Sequence, residues 1–128
     1  MSQFAATIRD IRGVESLKVV EFDFCGATLK MVSLELDESI EVDREAILAI
    51  KPTHITIAKE SISSSNQLKA TIISYQDGEL LSSIRLQIGD SILESIILLE
   101  SKRELNLEVK DEVIAMMNPT EISILEIL

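Results

Sequence analysis

The sequence predicts an all-β protein made of two tandem five-stranded Greek-key barrels, each with at most one short helix. Three observations carry this reading. First, the chain has only four glycines and two prolines, and they fall into two ordered sets. Gly13, Gly26 and Pro52 match Gly78, Gly89 and Pro119 at offsets of 65, 63 and 67. Second, the flanking residues agree. Gln3-Phe4-Ala5-Ala6-Thr7-Ile8 matches Gln67-Leu68-Lys69-Ala70-Thr71-Ile72, Glu45-Ala46-Ile47 matches Glu112-Val113-Ile114, and Pro52-Thr53-His54-Ile55 matches Pro119-Thr120-Glu121-Ile122. Third, the apolar residues follow a period of two in places. Leu80 to Ile88 ends in strict alternation, the pattern of a half-buried strand. Self-similarity at a fixed spacing marks a duplicated unit. The chain therefore divides into residues 1–60 and residues 61–128.

The elements follow in order. In the second repeat the strands are expected over 67–75, 80–88, 91–98, 111–117 and 120–127. Asp77-Gly78 and Gly89-Asp90 read as hairpin turns, because glycine tolerates the positive φ such turns require. Between the third and fourth strands, Ser101 and Glu104 have capping-box spacing, which predicts a helix of one to two turns over 100–105. The first repeat is three residues shorter here, around Glu35 to Ser39, so its helix is expected to shrink to a turn. Five strands with a helix between the third and fourth is the order of an OB-type barrel. Two units of about 60 residues are each marginal alone, so they should pack on one another, and further copies are expected to associate. The polar stretch Lys59 to Ser65 is the candidate boundary.

Composition narrows the function. The chain has 128 residues, a net charge of −10 and 46% hydrophobic residues. No apolar run approaches the roughly 20 residues that span a bilayer, so membrane insertion is not expected. The opening MSQFAATIRD lacks the basic-then-apolar order of a leader. One cysteine, Cys25, allows no internal disulfide and suits a reducing cytoplasm. It reads as a small, partly buried residue at a strand end. Four aromatic residues, no Trp and an acidic balance argue against a nucleic-acid surface, which needs clustered cations and stacking rings. The acidic excess is spread, with eleven acidic and seven basic side chains over 1–60 and eleven and five over 61–128. His54 is the only histidine and stands where the other repeat has Glu121, so it is expected to be exposed and cannot join a histidine metal cluster. There is no glycine-rich phosphate loop, nucleophile elbow or metal-ligand spacing. The sequence thus points away from an enzyme, from an organic cofactor and from a bound metal cation.

Two kinds of polar segment remain. One is Ser63-Ser64-Ser65-Asn66, immediately before a strand. The other is Lys51-Pro52-Thr53, with its counterpart Asn118-Pro119-Thr120, between the last two strands of each repeat. Hydroxyls and backbone amides at a strand junction can present several donors to one anion. A tetrahedral oxyanion asks for such converging donors more than for net positive charge. The same residue types are also ordinary turn-formers.

These segments carry a resemblance. Ser63-Ser64-Ser65-Asn66-Gln67-Leu68-Lys69-Ala70-Thr71-Ile72, the Gly78 and Gly89 turns, Ser95-Ile96-Ile97, Glu104-Leu105, Asp111-Glu112-Val113 and Thr120-Glu121-Ile122 resemble the Mop domain, also called TOBE. That is the molybdate-binding module of molybdenum-pterin-binding proteins, molybdate-responsive regulators and molybdate-transporter ATPases. The likeness covers the whole second repeat and, more weakly, Gln3 to Ile8 and Glu45 to Ile57. Two such modules in tandem resemble the stand-alone di-Mop proteins. The resemblance implies cytoplasmic trimers that bind molybdate or tungstate, OB-like barrels that exchange strands between subunits, and oxyanion sites at interfaces. It places the family's Ser-Ala-Arg-Asn on Ser63, Ser64, Ser65 and Asn66. A hydroxyl position after the third strand falls on Ser33 in the first repeat and on Leu98 in the second. The family's Lys-Ser/Ala-Thr falls on Lys51, Pro52 and Thr53, and on Asn118, Pro119 and Thr120.

The departures are specific. Serine replaces arginine at position 65, lysine is kept at 51 but becomes Asn118, and both prolines remove an N–H. Lys51, completed by Ser63 to Asn66 from another repeat or subunit, is the expected site. The leading expectation is oxyanion binding for storage, buffering or sensing. The alternative is a degenerate Mop pair that serves protein–protein assembly or regulation without an anion.

Overall fold

The computed structural model describes residues 2–34, 40–61 and 66–128. Among these residues, ten strands and one helix follow in order: β1 Ser2–Val14, β2 Leu17–Phe24, β3 Ala27–Ser33, β4 Glu45–Ile50, β5 Ile55–Ala58, β6 Gln67–Asp77, β7 Leu81–Ile88, β8 Ser91–Leu98, α1 Leu99–Glu104, β9 Glu112–Met117 and β10 Ser123–Ile127. Single 3-10 turns, Pro52–His54 and Pro119–Glu121, precede β5 and β10.

The strands form two five-stranded antiparallel sheets, ordered β10-β4-β1-β2-β3 and β5-β9-β6-β7-β8. Each sheet takes four strands from one repeat and its fifth from the other. β5 of the first repeat lies on β9, and β10 of the second lies on β4. The exchange that the resemblance implies between subunits thus occurs inside one chain. Each barrel is closed by packing and not by a ladder, because the turn Pro119–Glu121 rests on β3 and the turn Pro52–His54 rests on β8.

The duplication is visible in detail. β1 and β6 carry bulges at equivalent places, between Ile8 and Asp10 and between Ile72 and Ser74. Asp43 and Lys110, equivalent residues before the fourth strands, both have positive φ, and their N–H groups donate to Ile8 and Ile72. Alternation works as expected: every second residue of β7 from Ser82 to Ile88 is buried. The inward faces of both sheets share one core, with Phe22, Phe24, Leu48, Ile72 and Leu86 almost wholly enclosed. Phe4 and Phe24 rings pack at 4.6 Å between centroids.

Several local expectations are corrected. The turn between β2 and β3 is Cys25-Gly26 and the one between β7 and β8 is Gly89-Asp90. The two glycines occupy different turn positions: Gly26 (φ 84) comes second after Cys25 (φ 53), whereas Gly89 (φ 59) comes first. That explains the offset of 63, since the first three strands repeat at 64. Gly13 lies within β1 opposite Lys18, and the left-handed residue of that turn is Glu15. Gly78 is not at positive φ; its N–H bonds the Leu81 carbonyl at 2.8 Å.

α1 begins at Leu99, and Ser101 does not cap it. β8 runs straight into the helix, so the cap position falls on Leu98, whose side chain has no acceptor, and the Leu80 carbonyl takes the Leu99 N–H at 2.8 Å instead. Buried Lys102 fixes the helix. Its Nζ lies 3.4 Å from the Tyr75 ring centroid and 2.9 Å from Asp77 Oδ2. The last strand begins at Ser123, not at 120, because Pro119 starts a 3-10 turn. Cys25 is exposed in its turn and not partly buried. The turn expected around Glu35 to Ser39 lies outside the described residues.

Candidate functional site

The two 3-10 turns share one backbone. Ile50 leads into Lys51 and Met117 into Asn118, each entry residue is extended, and a proline follows it. Proline's fixed φ suits the first position of a helical turn. His54 N–H donates to the Lys51 carbonyl at 2.9 Å, and Glu121 N–H to the Asn118 carbonyl at 3.0 Å. The turns meet at the pseudo-two-fold axis. His54 Nδ1 lies 3.2 Å from Glu121 Oε2, within ion-pair distance though outside hydrogen-bond geometry.

What differs is the entry side chain. Asn118 Oδ1 accepts from Thr120 N–H at 3.0 Å and from Thr120 Oγ1–H at 2.9 Å. An oxygen of the chain already sits on both donors. Lys51 cannot do this, having no acceptor, and its side chain makes no cap. Among the described residues, neither the N–H nor the hydroxyl of Thr53 donates a hydrogen bond, and Lys51 joins no ion pair. The first turn therefore offers an ammonium, a hydroxyl and an N–H within three residues, of which Lys51 and Thr53 are exposed and Pro52 is half-buried. The second turn is filled by its own amide.

Each turn faces the third strand of the other repeat. Beside the first, Ser95 on β8 donates its buried hydroxyl to the Ile55 carbonyl at 2.6 Å. A cleft of about 410 Å³ lined by Ser2, Gln3, Gln76, Ser83, Arg85 and Glu94 opens on this β8 edge. There the Ser83 hydroxyl bonds Glu94 Oε1, and Arg85 stands opposite Glu94 across the ladder. Beside the second turn lies Asn66, buried and at φ 59. Its carbonyl accepts Met117 N–H at 3.1 Å, and its side chain bonds the backbone of Lys30 on β3. Ser33 ends that strand and is half-buried.

Within one chain, then, Asn66 lies beside Asn118, Pro119 and Thr120 at one junction, with β3, the strand that Ser33 ends, against the same turn, and Lys51, Pro52 and Thr53 lie at the other. Asn66 is not brought to Lys51. Ser63, Ser64 and Ser65 lie outside the described residues. Sequence reasoning missed Ser2, which stands where Asn66 stands in the second repeat; the offset of 64 between the repeats was the available signal. No group of three or more His, Cys, Asp or Glu suited to a metal ion occurs among the described residues. No helix among them is long and apolar enough to cross a membrane.

Paired five-stranded barrels with exchanged last strands, and a 3-10 turn at each seam, define a class of small β modules. Comparison with known proteins is consistent with this. Residues 62–124 match the TOBE domain. The chain is 34% identical over 64 residues to a probable molybdenum-pterin-binding protein of Haemophilus influenzae, spanning 49% of this chain and 93% of that one. Its fold superposes on the cytoplasmic molybdate-binding protein ModG, solved with molybdate bound, with a TM-score of 0.87, 18% identity, and coverage of 95% of this chain and 93% of that one. The chain belongs to the TOBE, or Mop, family.

Proposed function

We propose that this protein binds tetrahedral oxyanions, molybdate or tungstate, and that the Lys51-Pro52-Thr53 turn is the principal seat. The observation that supports this most is the contrast between the two turns. The donors of Thr120 already hold an oxygen, that of Asn118, while the equivalent donors of Thr53 have no partner among the described residues and stand beside a cation. An oxyanion placed there would accept from Thr53 N–H and Oγ1–H and face Lys51. Hydrogen bonds to a charged partner contribute about 1.5–3 kcal/mol each. Pro52 offers no N–H, so the seat needs donors from elsewhere. Ser63 to Ser65 of a second subunit would supply them, which is the reason to expect a homo-oligomer, a trimer by family likeness.

The role follows from the chemistry. A site of hydroxyls, amides and one lysine binds and releases without altering the anion. It therefore suits storage, buffering or sensing in the cytoplasm rather than catalysis. A second reading is an assembly module without an anion, favoured by the amide that fills the second turn and by the prolines at 52 and 119. Thermal unfolding with and without millimolar molybdate, tungstate or sulfate separates the two readings. The oxyanion reading expects a rise in Tm that Lys51→Ala diminishes; an unmoved Tm with every anion favours assembly alone.

A further inference from the structure

The proposed seat needs two pieces held together that are distant in sequence: the strand end that feeds Lys51, and the edge of β8 on which its turn rests. The hydrogen bonds show what joins them. Ser2 stands opposite Ile50, the residue before Lys51. Its hydroxyl accepts from Glu94 N–H at 2.8 Å and donates to the Glu94 carbonyl at 3.3 Å. Asn66 stands likewise beside Met117, the residue before Asn118. Its Oδ1 accepts from Lys30 N–H at 2.7 Å and its Nδ2 donates to the Lys30 carbonyl at 2.7 Å.

Lys30 and Glu94 are equivalent positions on β3 and β8, the outer strands of their sheets. An outer strand leaves N–H and C=O groups without a ladder partner. Here one side chain satisfies both groups of one residue, as a neighbouring strand would. Both clamping residues are buried, Ser2 to 7% exposure and Asn66 to 4%. The two clamps are the same device, built once with a hydroxyl and once with a carboxamide.

We infer that Ser2 and Asn66 are positioning residues. Each ties the segment paired with the strand that feeds its turn to the edge strand of the opposite repeat, Ser2 serving Lys51 to Thr53 and Asn66 serving Asn118 to Thr120. The clamp itself stands on the hydrogen bonds. Its consequence for ligand rests on the oxyanion reading above.

The test compares amide hydrogen exchange and molybdate affinity in the full-length wild type, Ser2→Ala, Ser2→Thr and Asn66→Gly. Glycine is chosen at 66 because it accepts φ 59 without strain. Ser2→Ala is expected to speed exchange at Glu94 and leave Lys30 protected, and to weaken molybdate binding about tenfold, the weight of one lost hydrogen bond. Ser2→Thr, which keeps the hydroxyl, restores both. Asn66→Gly is expected to speed exchange at Lys30 and leave Glu94 protected. Equal loss of protection at both amides in either variant would mean general loosening and would overturn the clamp. Wild-type affinity in Ser2→Ala would overturn its positioning role. Should the wild type not bind molybdate at all, the oxyanion reading falls and takes the ligand half of the inference with it. The exchange pattern still decides the clamp.

Discussion

Replacing Asn118 by lysine should open a second seat. In the native chain the Asn118 carboxamide holds both donors of Thr120, at 3.0 and 2.9 Å. Asn118→Lys removes that oxygen and puts an ammonium where the first repeat has Lys51. The cost to the fold is that of losing an exposed cap, about 1 kcal/mol. For a chain of this size that lowers Tm by about 3–5 °C. The gain is two donors freed for an anion, each contributing about 1.5–3 kcal/mol when the acceptor is charged, or roughly one to two powers of ten in affinity apiece. Calorimetric titration with molybdate reads the outcome as stoichiometry. Asn118→Lys should bind about one more anion per chain than the wild type, and Asn118→Ala should fall between them. A folded Asn118→Lys protein with unchanged stoichiometry would refute the idea that the amide stands in for the anion.

Other perturbations have equally definite outcomes. Lys51→Ala should weaken molybdate binding by about 10- to 100-fold, the loss of one charged contact, with little change in the denaturation midpoint, because Lys51 is exposed and unpaired among the described residues. Gly89→Ala should lower the urea midpoint by the equivalent of about 2–3 kcal/mol. At φ 59 a side chain is strained, and a Cβ there would meet the Cβ of Cys25 at 2.8 Å. The Ser82 hydroxyl and then the Lys102 ammonium hold the Asp77 carboxyl below its ordinary value of 3.8. A carboxylate depressed in the fold stabilises it above the unfolded value and loses that contribution as pH falls through the folded one. Stability should therefore be insensitive to Asp77 between pH 5 and 7 and fall below about pH 4; Asp77→Asn should flatten that part of the acid curve, and an unaltered curve would exclude Asp77 as its source.

The strands were legible because alternation and repetition are local signals. Leu81 to Ile88 shows its buried face in the sequence, and the 64-residue spacing recurs in the paired bulges near Arg9 and Ile73. The turns were less legible, since Cys25 and Glu15 adopt left-handed backbone that composition assigns to glycine. The helix start was misread because its first N–H is met by the carbonyl of Leu80, in the turn before β7, and no local pattern reports a tertiary partner. The same holds for the site. Lys51, Thr53, Asn118 and Thr120 stood out as turn residues, but the engagement of Thr120 by Asn118 and the freedom of Thr53 depend on side-chain geometry. The Ser2–Glu94 and Asn66–Lys30 clamps join residues 92 and 36 positions apart, beyond the reach of any local motif.

The most direct measurement is an amide NMR titration of the wild-type protein with molybdate. The Thr53 N–H should shift strongly and saturably, with Lys51 and His54 moving beside it, while Thr120, already engaged by Asn118, stays in place. Saturable shifts centred on Thr120, or none at Thr53 up to millimolar molybdate, would contradict the assignment of the Lys51-Pro52-Thr53 turn as the oxyanion seat.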